Sequence, residues 1–343
     1  MHIEKQPFGH TPEGREVFKY SLKNHAGMEV DIITYGAIIT AIRIPDQWND
    51  PGDVVLGFDS LEEYLGDHPY FGAMVGRVCN RVGKSRFELD GKIYPLTANE
   101  GANQLHGGHR GFDKQVWTAQ SRKTPEQISL ILAYESADGE EGYPGALMVE
   151  VEYAINHQNE LIISCRAKTD KATHVNLTNH SYFNLNGCEG SILDHELMID
   201  ADRITELDAE SIPTGKILPV ESTPYDFRLS TPIGERIGQV EPGYDINYVL
   251  ATEQRELTKV AAVRDPASGR TLEVLTTLPG IQLYTSNHVD GIRGKEGKRY
   301  EKHCALCLET QFFPDSPNQS SFPSTVLRPG EEFSAVTIYR FGH

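Results

Sequence analysis

Alternation of apolar and polar residues is the feature that most constrains what this 343-residue chain can fold into. In residues 147–155 every second side chain is apolar, which is the period of a β-strand with one face on a core. Residues 333–341 repeat the pattern near the end of the chain. Residues 28–45 are rich in Ile, Val and Thr and are broken at Gly36, which predicts two strands.

Turn residues join such segments into antiparallel pairs. Asp90-Gly91 stands between two short runs and predicts a tight hairpin. Residues 161–167 follow residues 147–155 after a short turn and are expected to pair with them. Further strands are predicted at residues 128–134, 272–278 and 281–285. The expected fold is a large antiparallel β-sandwich of the all-β class.

Helix signals are few. Ser60 and Glu63 have the spacing of a capping box and Gly66 follows them, so a helix of one or two turns is expected there. Residues 231–238 are a second short candidate, with Pro232 at the first helical position. Because no fixed-period repeat and no Pro/Ser-rich linker divides the sequence, residues 1–343 are expected to form a single domain.

The chain is strongly acidic, since 32 Lys and Arg stand against 49 Asp and Glu and give a formal net charge of −17. Such a surface repels phosphate backbones and anionic lipids, so neither nucleic acid nor a membrane is expected as a partner. The first residues have no apolar signal-peptide core, and no apolar run approaches the ~18–20 residues of a membrane-spanning helix. A cytoplasmic location is therefore expected.

The five cysteines are scattered and odd in number, which argues against a disulfide framework and agrees with a reducing compartment. Cys304 and Cys307 have a spacing found in redox and zinc sites. In a strand, however, residues three apart point to opposite faces, and no second cysteine pair accompanies them. Metal binding by this pair is not expected.

Residues 174–187 hold the densest concentration of chemically useful groups. His174 and His180 stand there among Asn, Ser, Thr and Tyr side chains, with apolar residues between them. Neutral donors and acceptors at this density suit a polyhydroxylated ligand such as a sugar, and an imidazole that titrates near ~6.5 is a natural proton-transfer group. The alternative is a turn-rich segment whose polar groups bond one another.

Glu309 is a second candidate for chemistry. Strand alternation puts Cys307, Glu309 and Gln311 on one face of an otherwise apolar segment. Burial there would raise the pKa of the carboxyl above its ordinary value of ~4.3, toward that of a useful general base. The alternative is a strand-end Glu paired with an Arg.

Three loops add further candidates. His106 is followed by two glycines that would let the backbone approach a ligand closely. Asp245 follows Gly243-Tyr244 and could accept hydrogen bonds from a pyranose, although such a triplet is often only a turn. A basic cluster serves solubility, pairs with acidic neighbours, or holds a sugar hydroxyl or a phosphate through the planar guanidinium of an Arg. Its members are Arg77, Arg81, Lys84 and Arg86.

Taken together, six motifs in this order resemble the aldose 1-epimerase family along nearly the whole chain. They are Gly76-Arg-Val-Cys-Asn-Arg81, Leu105-His-Gly-Gly108 with Gly111-Phe-Asp-Lys114 and Trp117, Thr178-Asn-His-Ser-Tyr-Phe-Asn-Leu185, Gly243-Tyr-Asp245, Pro279-Gly-Ile-Gln282 and Leu308-Glu-Thr-Gln-Phe-Phe-Pro-Asp315. Each motif alone is weak, and the specificity lies in the set.

The resemblance implies a β-supersandwich that interconverts the α and β anomers of aldohexoses such as galactose and glucose, with no metal and no organic cofactor. By matching position, Glu309 is expected to be the general base, His180 the general acid and His106 a second catalytic histidine near the ring oxygen. The residues expected to bind the aldose are Asn80, Arg81, Tyr182, Asp245 and Gln282. Ile246 departs from the family pattern, which has His there, and bears on hydroxyl preference.

Three other functions stay open at the level of the sequence. A mutarotase for hexose 6-phosphates would need extra cations at the pocket, which the cluster around Arg77 could supply. A non-catalytic sugar-binding module would lack the Glu or the acid His. A glycoside hydrolase needs two carboxylates ~5–10 Å apart, whereas this set has one carboxylate and two histidines. A monomer or a homodimer is expected.

Overall fold

The computed structural model describes residues 1–251 and 256–343, and its regular structure is almost entirely β. The strands in chain order are β1 (His2–His10), β2 (Glu16–Lys23), β3 (Glu29–Ile33), β4 (Ile39–Pro45), β5 (Pro51–Asp53), β6 (Met74–Val75), β7 (Arg81–Val82), β8 (Arg86–Leu89), β9 (Lys92–Pro95), β10 (Gln104–Leu105), β11 (Thr118–Lys123), β12 (Gln127–Ser136), β13 (Leu147–Asn156), β14 (Glu160–Thr169), β15 (Thr173–His174), β16 (Thr178–Asn179), β17 (Glu196–Ile199), β18 (Arg203–Leu207), β19 (Pro213–Pro219), β20 (Thr231–Pro232), β21 (Asp245–Val249), β22 (Thr258–Arg264), β23 (Thr271–Thr276), β24 (Gly280–Tyr284), β25 (Ile292–Arg293), β26 (Arg299–Tyr300), β27 (Cys307–Gln311), β28 (Val326–Leu327) and β29 (Phe333–Gly342). Within the same residues the α-helices are α1 (Leu61–Leu65) and α2 (Gly234–Ile237).

The largest sheet has nine antiparallel strands in the order β11-β12-β13-β14-β29-β23-β22-β17-β20. In β13 the period of two is realised as predicted, because Val149 and Val151 are buried whereas Met148 is 54% exposed. The C-terminal strand β29 lies in the middle of this sheet, between β14 and β23. The end of the chain is thus held by ladder hydrogen bonds on both sides.

Two five-stranded sheets complete the main architecture. One is the meander β1-β2-β3-β4-β5, and the other has the order β19-β18-β21-β24-β27. Side chains from all three sheets, such as Ile32, Val151 and Ile281, belong to one buried apolar cluster. Fully burying one such side chain stabilises the fold by ~1.5–3 kcal/mol, so this shared core holds the sheets face to face. The expected antiparallel β-sandwich is confirmed.

Of the two short helices predicted, the first is confirmed with its capping box, and the second begins later than predicted. The capping box is present, since the backbone N–H of Ser60 donates to Oε2 of Glu63 at 3.1 Å and α1 follows. The expectation of Pro232 at the start of a helix is wrong. Pro232 pairs with Glu196 in β20, at the edge of the nine-stranded sheet, and α2 begins two residues later at Gly234. An edge strand tolerates the missing N–H of proline.

The Asp90-Gly91 hairpin is confirmed, because β8 and β9 pair on either side of it and both turn residues have positive φ. Among the residues that the structure describes, no helix is long and apolar enough to cross a membrane.

Candidate active site

Three neighbouring strands of one five-stranded sheet, β21, β24 and the edge strand β27, align polar residues. In the register of the five-stranded sheet, Glu309 on β27 lies opposite Gln282 on β24, and Gln282 lies opposite Asn247 on β21. Nε2 of Gln282 donates to Oδ1 of Asp245 at 2.7 Å. Antiparallel pairing therefore places Glu309, Gln282 and Asp245 side by side although they are distant in sequence.

His180 is delivered from a different part of the fold, directly after β16. Its backbone N–H donates to the carbonyl of Ala73 at 2.8 Å, and its own carbonyl accepts from Gly72 at 3.0 Å. Nδ2 of Asn179 also donates to the carbonyl of Gly72 at 2.9 Å, and Oγ of Ser181 donates to Oδ1 of Asn179 at 2.6 Å. The polar neighbours of His180 thus fix its backbone, as a positioning role requires.

His106 is held by a reciprocal pair of hydrogen bonds with Asn80. The backbone N–H of His106 donates to the carbonyl of Asn80 at 3.1 Å, and the backbone N–H of Asn80 donates to Nδ1 of His106 at 3.2 Å. Because Nδ1 is an acceptor here, the ring proton sits on Nε2. The following Gly107 approaches the protein backbone rather than a ligand, since a Cβ there would lie 2.0 Å from the carbonyl oxygen of Gly76.

The three candidate catalytic side chains converge in the interior. Nε2 of His180 lies 3.7 Å from Oε2 of Glu309, and the rings of His106 and His180 meet edge to face with centroids 5.0 Å apart. All three residues are buried. Oε2 of Glu309 has no hydrogen-bond partner among the residues that the structure describes, which leaves it available to a ligand.

Burial sets the protonation of this group. It raises the pKa of Glu309 well above its ordinary value, and the nearby charge of Asp245 acts in the same direction. Burial also lowers the pKa of His180 to about 4, and it lowers the pKa of His106 well below its ordinary value. Burial therefore favours the form of the Glu309–His180 pair with a neutral carboxyl and a neutral imidazole over the form with separated charges.

Arg81 and Asp245, whose charges act on Glu309, line an open cavity of about 350 Å³, and Glu309, His180 and His106 are not among the residues that line it. The guanidinium of Arg81 grips Glu100 with two hydrogen bonds of 2.7 and 2.8 Å, and Nη1 lies 3.6 Å from Oδ2 of Asp245. Ile246 lines the same cavity. The volume of this cavity lies within the ~300–1,000 Å³ typical of small-molecule sites.

The expectation for one basic residue changes, and that for one aromatic residue stays untested. The prediction that Arg77 belongs to a basic surface cluster is wrong. Its side chain is buried and donates to the backbone carbonyls of Pro144 and Gly145 at 2.9 Å each. Tyr182 is also buried, with its ring stacked on that of His180 at 5.1 Å between centroids. A role for Tyr182 in binding substrate stays a prediction.

His174 is separate from this group. Its Nδ1 bonds Oγ1 of Thr325 at 2.8 Å and its ring packs edge-on against Phe87. His174 is therefore a structural residue, whereas His180 belongs to the site.

Sequence reasoning missed two neighbours of the catalytic group. Tyr70 lies over both histidines, with ring centroids 4.6 Å from His106 and 5.9 Å from His180, and nothing in the sequence around it signals this. Cys307 lies with Sγ 3.6 Å from Nδ1 of His180. Alternation had placed Cys307 on the face of Glu309, which was the available signal.

His106, His180 and Glu309 are also spaced for a metal ion, since their ligand atoms all lie within 4.8 Å of one another. The hydrogen bond from Asn80 opposes this use of His106, because Nε2 carries the proton and Nδ1 is occupied. The cluster is better suited to proton transfer than to metal ligation.

The fold is a β-sandwich, and the site is a buried group of one carboxyl and two imidazoles that is suited to proton transfer. Comparison with known proteins narrows the class of protein. The chain belongs to the aldose 1-epimerase family, whose model matches residues 19–340. The family, the fold and the isomerase class expected from the sequence are thereby confirmed.

Full-length relatives carry the same description. The chain is 47% identical to galactose mutarotase of Rattus norvegicus over 99% of both chains, and 46% identical to galactose mutarotase of Homo sapiens over 99% of this chain and 98% of the relative. It is 35% identical to aldose 1-epimerase of Escherichia coli K12 over 96% of this chain and 97% of the relative.

Solved structures agree with the fold. A GalM/aldose epimerase homologue from C. elegans superposes with a TM-score of 0.87 at 33% identity, covering 94% of this chain and 98% of the other. Galactose 1-epimerase from Lactobacillus acidophilus NCFM gives a TM-score of 0.88 at 25% identity, covering 99% and 98%.

Proposed function

We propose that this aldose 1-epimerase interconverts the α and β anomers of aldohexoses such as galactose and glucose, with Glu309 as general base and His180 as general acid. The observation that carries the proposal is the buried Glu309–His180 pair, with 3.7 Å between Oε2 and Nε2. An anomeric hydroxyl and a ring oxygen are attached to the same carbon. One sugar can therefore engage both groups at once, the carboxylate at the C1 hydroxyl and the imidazole at the ring oxygen.

The proton count of the pair stays constant through the reaction. The reacting form is a Glu309 carboxylate beside a His180 imidazolium. Glu309 takes the proton of the C1 hydroxyl, Nε2 of His180 gives its proton to the ring oxygen, and the bond from C1 to that oxygen breaks. The pair is then a neutral carboxyl and a neutral imidazole, the form that burial favours. Burial thus assists ring opening.

Ring closure reverses these transfers on the other face of the aldehyde. After rotation about C1–C2, the free hydroxyl attacks the carbonyl carbon and returns its proton to Nε2 of His180. Glu309 gives its proton to the former carbonyl oxygen. Each group has then acted once as acid and once as base, and no external proton is consumed.

The remaining site residues hold the sugar. His106 donates from Nε2 near the ring oxygen, because its Nδ1 is occupied by Asn80. Asp245 accepts sugar hydroxyls while Gln282 and Arg81 fix its carboxylate. Asn80 and Tyr182 complete the set of proposed substrate-binding residues. Ile246, in the wall of the cavity, bears on which hydroxyl configuration is accepted.

Polarimetry tests this function directly. Freshly dissolved α-D-galactose, α-D-glucose and glucose 6-phosphate are compared with and without the protein. We expect acceleration with the two free sugars. The phosphorylated alternative loses support because Arg77 is buried among backbone carbonyls and Arg81 is engaged by Glu100. Acceleration with glucose 6-phosphate alone would contradict the proposed substrate class.

We further propose that the protein acts in the cytoplasm, as a monomer or homodimer and a single domain over residues 1–343, without a nucleic-acid or membrane partner. All five cysteines are free and buried, which suits a reducing compartment. The net charge of −17 disfavours nucleic acid and anionic lipid. Light scattering after size exclusion measures the oligomeric state, and a mass above that of a dimer would contradict the proposal.

A further inference from the structure

Strand β27 contacts the imidazole of His180 at both ring nitrogens. Glu309 faces Nε2 at 3.7 Å, and Cys307, two residues earlier on the same strand face, has Sγ 3.6 Å from Nδ1. All three side chains are buried. The distance to Cys307 lies within the range of a hydrogen bond to sulfur. One short strand therefore places a partner at Nε2, the nitrogen proposed to transfer the proton, and another partner at Nδ1.

The proton transfers require a particular tautomer. Nε2 must be without a proton after it has protonated the ring oxygen, because the same nitrogen takes the proton back on closure. The remaining proton then sits on Nδ1. A buried N–H without an acceptor is costly, so this tautomer needs a partner at Nδ1.

We propose that Cys307 is a positioning residue whose Sγ accepts the Nδ1–H of His180 and holds the imidazole in the tautomer with a free Nε2. The inference rests on the proposed roles of His180 and Glu309. His106 provides the contrast, since the backbone N–H of Asn80 holds it in the opposite tautomer, with the proton on Nε2. One histidine is thus a fixed donor and the other a proton carrier.

A thiol is a suitable partner because it is neutral and a weak acceptor. Histidines in many sites give Nδ1–H to a carboxylate, which makes the ring more basic. Burial raises the pKa of Cys307 well above its ordinary value, so the thiol stays uncharged. A neutral sulfur fixes the tautomer without making the imidazole a stronger base, and the imidazolium stays a strong acid.

The other titratable groups around the ring leave this assignment to Cys307. Tyr70 and Tyr182 contact His180 through their ring faces, and His106 meets it edge to face. Glu309 faces the opposite nitrogen. The competing arrangement is a thiol that donates S–H to Nδ1, which would put the imidazole proton on Nε2.

Nitrogen-15 NMR distinguishes the two arrangements without any use of activity. Protein labelled with ¹⁵N-histidine is examined free of sugar at neutral pH, and the two rings are assigned by loss of their signals in His180→Asn and His106→Asn. We expect the Nδ1–H pattern for His180 and the Nε2–H pattern for His106. An Nε2–H pattern for His180 in the free protein would overturn the inference, whereas the proposed function is tested separately, by polarimetry of the same protein.

Substitution provides a second test. Cys307→Ala removes the acceptor, and we expect kcat for galactose to fall about 10- to 100-fold with KM within about twofold of wild type. Cys307→Ser restores an acceptor and is expected to recover most of kcat. Cys165→Ala, which removes another buried thiol, is the matched control. Unchanged kcat in Cys307→Ala, or equal losses in the Ala and Ser variants with intact circular dichroism, would contradict positioning.

Discussion

Oε2 of Glu309 lies 3.7 Å from Nε2 of His180, and the two buried side chains come from different parts of the β-sandwich. Burial raises the pKa of Glu309 and lowers that of His180. Both shifts disfavour a carboxylate beside an imidazolium. Burial consequently favours a neutral carboxyl beside a neutral imidazole, and the two forms of the pair that hold one proton are the two protonation states that the proposed mechanism needs. Four consequences can be measured.

The first concerns the pH dependence of kcat/KM. The reacting pair contains one proton, so activity is lost when a second proton binds or when the single proton leaves. Because the pKa of His180 is lowered to about 4, the acid limb is expected near that pH, with activity retained through the ordinary range of histidine titration. Polarimetric rates between pH 3.5 and 9 provide the profile. An acid limb near the ordinary histidine value of ~6.5 would disagree with this assignment.

The second concerns stability. The folded pKa of Glu309 is raised above its unfolded value, so burial of this carboxyl costs stability that grows as pH rises above the unfolded pKa. Glu309→Gln is therefore expected to raise the melting temperature at pH 7–8 and to have a smaller effect near pH 4.5. Glu301→Gln, at a half-exposed site, should show no such trend. A gain in Glu309→Gln that is independent of pH would reject the explanation.

The third concerns Asp245. Its negative charge raises the pKa of Glu309, so Asp245→Asn should move the basic limb of the pH profile to lower pH. Loss of a hydroxyl acceptor should also raise KM for galactose roughly tenfold or more, in keeping with ~1.5–3 kcal/mol for a hydrogen bond to a charged group. Asp202→Asn, on the surface, is the control. If neither the basic limb nor KM changes in Asp245→Asn, the assignment of Asp245 to the site is rejected.

The fourth separates two arginines that look alike in the sequence. Arg77 donates to buried backbone carbonyls, whereas Arg81 faces Asp245 at the cavity. Arg77→Lys cannot reproduce the planar fork and is expected to lower the free energy of unfolding by roughly 3 kcal/mol with little change in KM. Arg81→Lys should do the reverse, raising KM with a small effect on stability. Denaturant unfolding measures the stability of both variants, and polarimetry measures their KM. If KM changed in Arg77→Lys but not in Arg81→Lys, the assignment of a structural role to Arg77 and a binding role to Arg81 would be contradicted.

Much of the fold follows from local pattern. The alternation in residues 147–155 and 333–341 specifies which face of β13 and β29 is buried, and the Asp90-Gly91 turn specifies the hairpin of β8 and β9. Pro232 shows the limit. Its local context favours a helix start, but pairing with Glu196 from a distant segment places it in an edge strand. Such pairing is a tertiary effect that local propensity does not contain.

The site divides in the same way. Residue types and the family resemblance identified Glu309, His180 and His106, and the structure brings them together. Arg77 and Cys307 were not assigned their places, because what faces a side chain depends on elements far away in the sequence. The carbonyls around Arg77 come from residues 144 and 145, and the ring beside Cys307 comes from His180. Spacing within the motif places Cys307 on the face of Glu309 but does not show which ring lies against it, and it holds no information about the carbonyls around Arg77.

The central claim is that Glu309 and His180 act together as base and acid, and one polarimetric comparison tests it most directly. Mutarotation of fresh α-D-galactose is followed with wild-type protein, Glu309→Gln and His180→Asn, each checked for folding by circular dichroism. We expect each folded variant to lose ~10²–10⁴-fold in rate and to approach the spontaneous rate of the sugar. A folded variant of either residue that retains a near wild-type rate would contradict the account.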